Sequence, residues 1–154
     1  YTKKVHSDEF IVHPEYLQND ENYDFGVIKL KENVGEEIGW ASIRVLEDAL
    51  LKGKLVNVTG YPGTKGIFNT LRTLPSYSMY SMEGEIVSVK KHKFYYHIDT
   101  SGGQSGSGVW VIGQDGIPEC LGVHTTGKSP REEGNGAIRI NHENFNIIKD
   151  WVSQ

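Results

Sequence analysis

The chain is cut into short apolar runs, each ended within a few residues by glycine, proline or a cluster of polar side chains. None approaches the ~20 residues that a membrane-spanning helix needs, so no membrane partner is expected. Runs of this length read as strands, and the turn residues between them favour tight reversals over long helices. Glycine supplies much of the punctuation, with 18 in 154 residues, well above the usual ~7%. Strand candidates are Phe10–Val12, Phe25–Leu30, Leu55–Thr59, Gly84–Val89, Tyr95–Ile98, Gly108–Ile112, Cys120–His124 and Ala137–Ile140. Their spacing predicts an all-β antiparallel barrel or sandwich.

Two segments have helical character. Leu46–Leu51 is short and reads equally well as loop. At the C-terminus Asn141 can cap a helix, with Phe145, Ile148 and Val152 at i, i+3, i+7 and Ile147 and Trp151 beside them. That pattern predicts a closing amphipathic helix. The charged fraction of 23% is too ordinary for wholesale disorder. A net charge of −4 gives no nucleic-acid footprint. The lone Cys120 allows no internal disulfide and cannot build a zinc cluster by itself. It reads as a small apolar residue rather than a nucleophile.

The sharpest local signal is Gly102-Gly103-Gln104-Ser105-Gly106-Ser107-Gly108, running straight into Val109-Trp110-Val111. Glycines on both sides of a serine expose its hydroxyl on a tight turn and let backbone N–H groups converge on a small negative charge. Acyl transfer needs both features; a plain Gly/Ser loop between strands has the same look. A second signal is Asp24 at the mouth of the apolar run Phe25–Leu30. An acid there is either a turn residue or a carboxylate that orients a histidine.

Taken together and in order, these segments resemble the chymotrypsin-like serine proteases, most closely the bacterial glutamyl endopeptidases. FIVHPEY followed by YDFGVIKL resembles the segment bearing the triad aspartate. VNVTGYPG resembles the first strand of the second barrel, HIDTSGGQSGSGVW the nucleophile loop, LGVHTTG the wall of the specificity pocket, and NGAIRINHENFNIIKDWV the last strand and closing helix. The resemblance implies a double β-barrel, with residues 1–50 forming the end of the first barrel and the connection, 51–140 the second barrel, and 141–154 the helix. It implies Ser105 as nucleophile, the N–H groups of Gly103 and Ser105 as oxyanion hole, and Asp24 as the carboxylate that fixes the histidine tautomer. Thr125, Thr126 and Gly127 would pair with substrate backbone. His124 and Thr100 would receive an acidic side chain, since an imidazolium and a hydroxyl both donate to a carboxylate. Asp99 is adjacent, but strand alternation would turn it the other way. Secretion, protein or peptide substrates and no cofactor are also implied.

The catalytic histidine of the resembled proteases lies several dozen residues before the aspartate, and only 23 residues precede Asp24 here. Neither His6 nor His13 has the small-residue surroundings of a triad histidine. The expectation is therefore that an N-terminal polypeptide completes the first barrel and brings the base, unless the first part is simply missing from the sequence. A catalytically inactive binding or toxin module of the same fold is the alternative. His6, His13, His92, His97 and His142 lack metal-ligand spacing and read as structural or surface residues. Lys90–Lys93 reads as a solvated basic turn. Asp20-Glu21 lacks the pattern of a calcium loop. Tyr77, Met79, Tyr80 and Met82 read as core or loop packing.

Overall fold

The strands found in the computed structural model, which describes residues 7–62, 78–127 and 133–153, follow the short apolar runs closely. In chain order they are β1 (Ser7–Val12), β2 (Gly26–Leu30), β3 (Ser42–Ile43), β4 (Leu55–Gly60), β5 (Tyr80–Val89), β6 (Lys93–Tyr96), β7 (Gly108–Ile112), β8 (Pro118–Thr126) and β9 (Asn135–Arg139). The helices are α1 (Pro14–Leu17), α2 (Gly35–Ile38), α3 (Asp48–Leu51) and α4 (His142–Ser153).

Six strands close on themselves in the order β8-β7-β4-β5-β6-β9, with β9 returning to β8 and β3 added in parallel on the outside of β8. Closure removes the free edges that an open sheet would expose. Alternation fills the interior: Val56 and Val58 of β4, Ile86 of β5, Phe94 and Tyr96 of β6, and Val109 of β7 are all fully buried. β1 and β2 form a separate antiparallel ribbon, with Phe10 opposite Ile28. One face of that ribbon carries Phe10, Val12, Ile28 and Leu30, exposed by 69%, 43%, 58% and 46%. Among the described residues nothing covers this apolar face.

The details show where tertiary contacts overrule local pattern. β6 lies upstream of the expected Tyr95–Ile98 because the Asn135 side-chain amide takes the carbonyl of Ile98, drawing it out of the ladder. Of Leu46–Leu51 only the last four residues are helical. Asn141 does cap α4: its side chain accepts from the Asn144 N–H at 2.8 Å. The helix face, however, is rotated from the expected one. Val152 is 57% exposed, while Asn144 is buried and donates to the Arg139 carbonyl at 2.7 Å. Trp151 packs on Phe25 and His13, with ring centroids 5.6 and 6.0 Å away. Met82 packs on the core and Met79 is exposed; Tyr80 opens β5; Tyr77 and His6 lie outside the described residues.

Arg139 fastens the connection between ribbon and barrel to β9. Its guanidinium donates to the carbonyls of Leu46 (2.8 Å) and Lys90 (3.3 Å) and pairs with Asp48 at 2.6 Å. The Arg139 side chain is 8% exposed and that of Asp48 72%. The stabilisation therefore resides in the buried donors rather than in the ion pair, whose exposed partner is screened by water. Arg139→Ala should lower the unfolding free energy by about 2–3 kcal/mol in urea titrations. Asp48→Ala should cost less than about 1 kcal/mol. Equal losses would show that the ion pair carries the contact.

Candidate active site

Ser105 sits at the tip of the loop between β6 and β7, and the loop's shape follows from a few bonds. Gln104 is buried; its side-chain oxygen accepts from the Ser101 N–H at 2.8 Å, and its carbonyl accepts from the Ser107 N–H at 3.0 Å. Gly103 (φ 99°) and Gly106 (φ 88°) flank Gln104 and Ser105 in the left-handed region that only glycine enters without strain. At Gly106 a Cβ would meet nothing within 4 Å, so the requirement there is conformational rather than steric. The loop is stitched to β8 by a reciprocal pair: Gly106 N–H donates to the His124 carbonyl and His124 N–H to the Ser107 carbonyl, both at 2.8 Å.

The outcome is an exposed Ser105. The N–H groups of Gly103 and Ser105 have no hydrogen-bond acceptor among the described residues. Two amides without an acceptor beside an exposed hydroxyl are free to donate to a small negative charge placed there.

Asp24 follows the 3₁₀ turn Glu21–Tyr23, just before β2. An aromatic stack holds that turn in place: His13 lies on Tyr23 with centroids 4.3 Å apart and planes 14° from parallel. His13 also caps α1, its Nδ1 accepting from the Glu15 N–H at 3.2 Å. Burial pushes the Asp24 carboxyl above its ordinary range, against the Tyr16 hydroxyl and the Lys93 charge, which favour the ionised form; Glu21 adds to the rise. Asp24 and Ser105 line one cavity of about 450 Å³, bounded by Phe10, Val12 and Ile28 of the ribbon and by Val123 and Thr125 of β8. Its described walls contain no histidine.

β8 extends along this cavity with one side open. Its pairing with β7 ends at Val123 opposite Gly108, whereas on the other side Thr126 still pairs with Gly136 of β9. Beyond His124, β8 has no partner on its β7 side among the described residues, and that side of the strand is open to an extended peptide.

A second cavity, of about 850 Å³, is lined by Thr100, Asp99, Tyr96, Gly127, Gly134 and others. Asp99 shares the wall with Thr100, contrary to the alternation argument, because residues 97–100 have left the strand and period two no longer applies. His124 is 3% exposed and lies behind this wall. Its Nδ1 is 2.6 Å from the Tyr96 hydroxyl. Burial holds the imidazole below its ordinary value, with a hydrogen bond to the Gly136 backbone pulling the other way.

Gln104 and Tyr96 are the residues that the sequence reading passed over. Tyr96 had a signal: it shares a face with Phe94, and an inward tyrosine needs a partner for its hydroxyl. Gln104 had none, since its role depends on the loop conformation. The other described histidines lie beside partners away from the two cavities or at their rim. His97 Nε2 is 2.8 Å from the Glu133 carbonyl oxygen, His142 lies beside Glu47, and His92 beside Tyr23. The Cys120 sulfur donates to the Gly122 carbonyl, and burial pushes its thiol up. Among the described residues no group of three or more His, Cys, Asp or Glu could hold a metal ion. No described helix is long and apolar enough to cross a membrane.

A closed six-stranded barrel, a C-terminal helix and a serine between two left-handed glycines define a chymotrypsin-like fold, and the chain belongs to the trypsin family, which matches residues 1–152. It is 29% identical over 151 residues to a glutamyl endopeptidase of Bacillus licheniformis, covering 96% of this chain and 45% of that protein. An extracellular metalloprotease of Bacillus subtilis is 34% identical over 135 residues, 88% of this chain and 39% of that protein. A solved structure of a Glu endopeptidase in complex with MPD matches with a TM-score of 0.80 and 30% identity, over 97% of this chain and 65% of that one. The chain thus spans less than half the length of these two curated relatives.

The raised pKa of Asp24 makes a signed prediction. The unfolded chain ionises first as pH rises, so above its folded-state pKa Asp24 weighs against folding. Asp24→Asn should be at least as stable as the parent in urea at pH 7. The difference should vanish below the ordinary carboxylate range of ~4. A clear loss of stability at pH 7 would mean that the carboxylate holds the fold together.

Proposed function

We propose that this chain is the C-terminal part of a secreted serine endopeptidase that cuts after acidic residues, Glu over Asp, through an acyl-enzyme. The observation that carries the proposal is the shared cavity: Asp24 and an exposed Ser105 face one space beside two unengaged amides, and an open strand edge runs past it. In this reading Ser105 Oγ attacks the scissile carbonyl while a histidine takes its proton and passes it to the leaving amine. The Gly103 and Ser105 amides bind the oxyanion. Asp24 orients the histidine, and water then releases the acyl group. Thr125, Thr126 and Gly127 hold the substrate backbone.

The histidine belongs to an N-terminal polypeptide that completes the first barrel. It would lie on the apolar ribbon face formed by Phe10, Val12, Ile28 and Leu30 and bring its imidazole into the cavity between Asp24 and Ser105. Thr100 in the wall of the larger cavity and His124 behind it would take the substrate carboxylate. A Glu side chain reaches one methylene deeper than Asp, a difference worth roughly 1–3 kcal/mol.

The chain freed of any partner polypeptide, as shown by its intact mass, should retain at most the roughly 10³–10⁴-fold advantage over water that an oxyanion hole and binding supply. In the completed protein Ser105→Ala should abolish peptide cleavage and fluorophosphonate labelling and leave the fold unchanged, because Ser105 is exposed. Cleavage at the parent rate would identify another nucleophile. His124→Gln should lower kcat/KM for Glu substrates by about 2–4 kcal/mol. A peptide-library digest dominated by cuts after Lys, Arg or large apolar residues would overturn the acid specificity.

A further inference from the structure

Gly60 ends β4 and is buried. Its φ lies outside the left-handed region, unlike those of Gly103 and Gly106, so backbone conformation does not call for glycine there. Space does. A Cβ on Gly60 would run into the Ser107 hydroxyl, stand 3.3 Å from Ser107 Cβ and touch Gln104 Cγ at 3.7 Å. Only the last is an ordinary van der Waals separation. The bare α-carbon of Gly60 is thus the floor on which the Ser105 loop rests, through Gln104 before the serine and Ser107 after it.

We propose that Gly60 is a positioning residue for Ser105: its missing side chain lets Ser107 seat against the end of β4 and so sets where the loop stands. The strand is the stiffer of the two sides. β4 pairs with β5 along its whole length, as far as Gly60 opposite Tyr80. Thr59 is fastened on both sides, its Oγ1 accepting from Trp110 Nε1 at 3.1 Å and lying 2.7 Å from Ser81 Oγ. A methyl group on Gly60 therefore displaces the loop rather than the strand. Rotation about χ1 can carry the Ser107 hydroxyl aside, but Ser107 Cβ moves only with its backbone. That backbone is part of the stitching: Ser107 N–H donates to the Gln104 carbonyl at 3.0 Å, and the Ser107 carbonyl takes His124 N–H at 2.8 Å. A shift of Ser107 thus strains the bonds to His124 and moves Ser105, two residues away. The consequence for catalysis rests on the serine-protease reading; the seating of the loop does not.

Amide hydrogen exchange of the 154-residue chain reads the seating directly. Gly60→Ala should speed exchange at Gly106 and His124 by about tenfold more than at the amides of β5 and β6. Adding Ser107→Gly, which removes both the hydroxyl and Cβ, should return the two amides to the rates of Ser107→Gly alone. Adding Ser107→Ala, which keeps Cβ at 3.3 Å, should restore them only in part. Unchanged exchange at Gly106 and His124 in Gly60→Ala overturns the proposal, since the hydroxyl then merely swings aside. Equal acceleration in loop and barrel, or no rescue by Ser107→Gly, overturns it as well, because the methyl group then acts elsewhere. If Gly60→Ala does not fold, the double variant decides: recovered folding supports the contact with Ser107, and a chain that stays unfolded refutes it.

Peptide cleavage by the completed protein supplies the second readout. Gly60→Ala should lower kcat by roughly 10²-fold with KM nearly unchanged, because a displaced Ser105 slows the chemistry while β8 and the larger cavity stay in place. The double variant with Ser107→Gly should match Ser107→Gly alone. A rise in KM with kcat intact would show that Gly60 shapes substrate binding instead and overturn the positioning role. A completed parent without peptidase activity refutes the protease reading, and the exchange result then stands by itself.

Discussion

The reciprocal pair of backbone hydrogen bonds between His124 and the Ser105 loop is the contact on which the candidate site depends. The His124 carbonyl takes Gly106 N–H, and its N–H serves the Ser107 carbonyl, each at 2.8 Å. A loop with glycines at 102, 103 and 106 has a wide choice of conformations and loses much entropy on becoming ordered. Two short bonds to a rigid barrel strand, with Gln104 buried beneath, select one conformation. They leave Ser105 outward and the neighbouring amides unengaged. The side chain of the same His124 stands behind the wall of the larger cavity. The Ser105 loop and the wall of the larger cavity therefore share one residue, the backbone serving the first and the imidazole lying behind the second.

A different device holds the other half of the site. Asp24 belongs to the ribbon, and the ribbon meets the barrel through few residues. The stack of His13 on Tyr23, the contact of Phe25 with Trp151, and the hydrogen bond from the Tyr23 hydroxyl to Glu143 at 3.1 Å pin the turn before β2 to the C-terminal helix. α4 is in turn joined to β9 through the Asn144 to Arg139 bond. Helix α4 is thus more than a closing element, since it relays the position of the barrel to the carboxylate of Asp24. That explains why a buried Asn144, rather than an apolar residue, faces inward at its first turn.

Much of this was legible in the sequence because it depends on local chemistry. Alternation in Leu55–Thr59 and Gly108–Ile112 predicts strands whose inward residues, Val56, Val58, Val109 and Val111, are the buried ones. The glycines around Ser105 announce an exposed serine, and Asn141 announces a helix start. These signals concern a residue and its near neighbours, where backbone sterics and side-chain period act directly.

What the sequence could not state concerns residues brought together from afar. Nothing local places Val152 outside and Asn144 inside, because the helix face is chosen by Arg139 and Phe25 rather than by hydrophobic period. Alternation excluded Asp99 from the cavity of Thr100, yet the chain leaves the strand where Asn135, 37 residues on, captures the Ile98 carbonyl. Tyr96 and His124, 28 residues apart, meet only because β6 and β8 both pair with β9 in a closed barrel. The sequence by itself determined which residues could do chemistry. The closed barrel decided which of them share a wall, because closure fixes the register of every strand and with it the partner of each buried polar group.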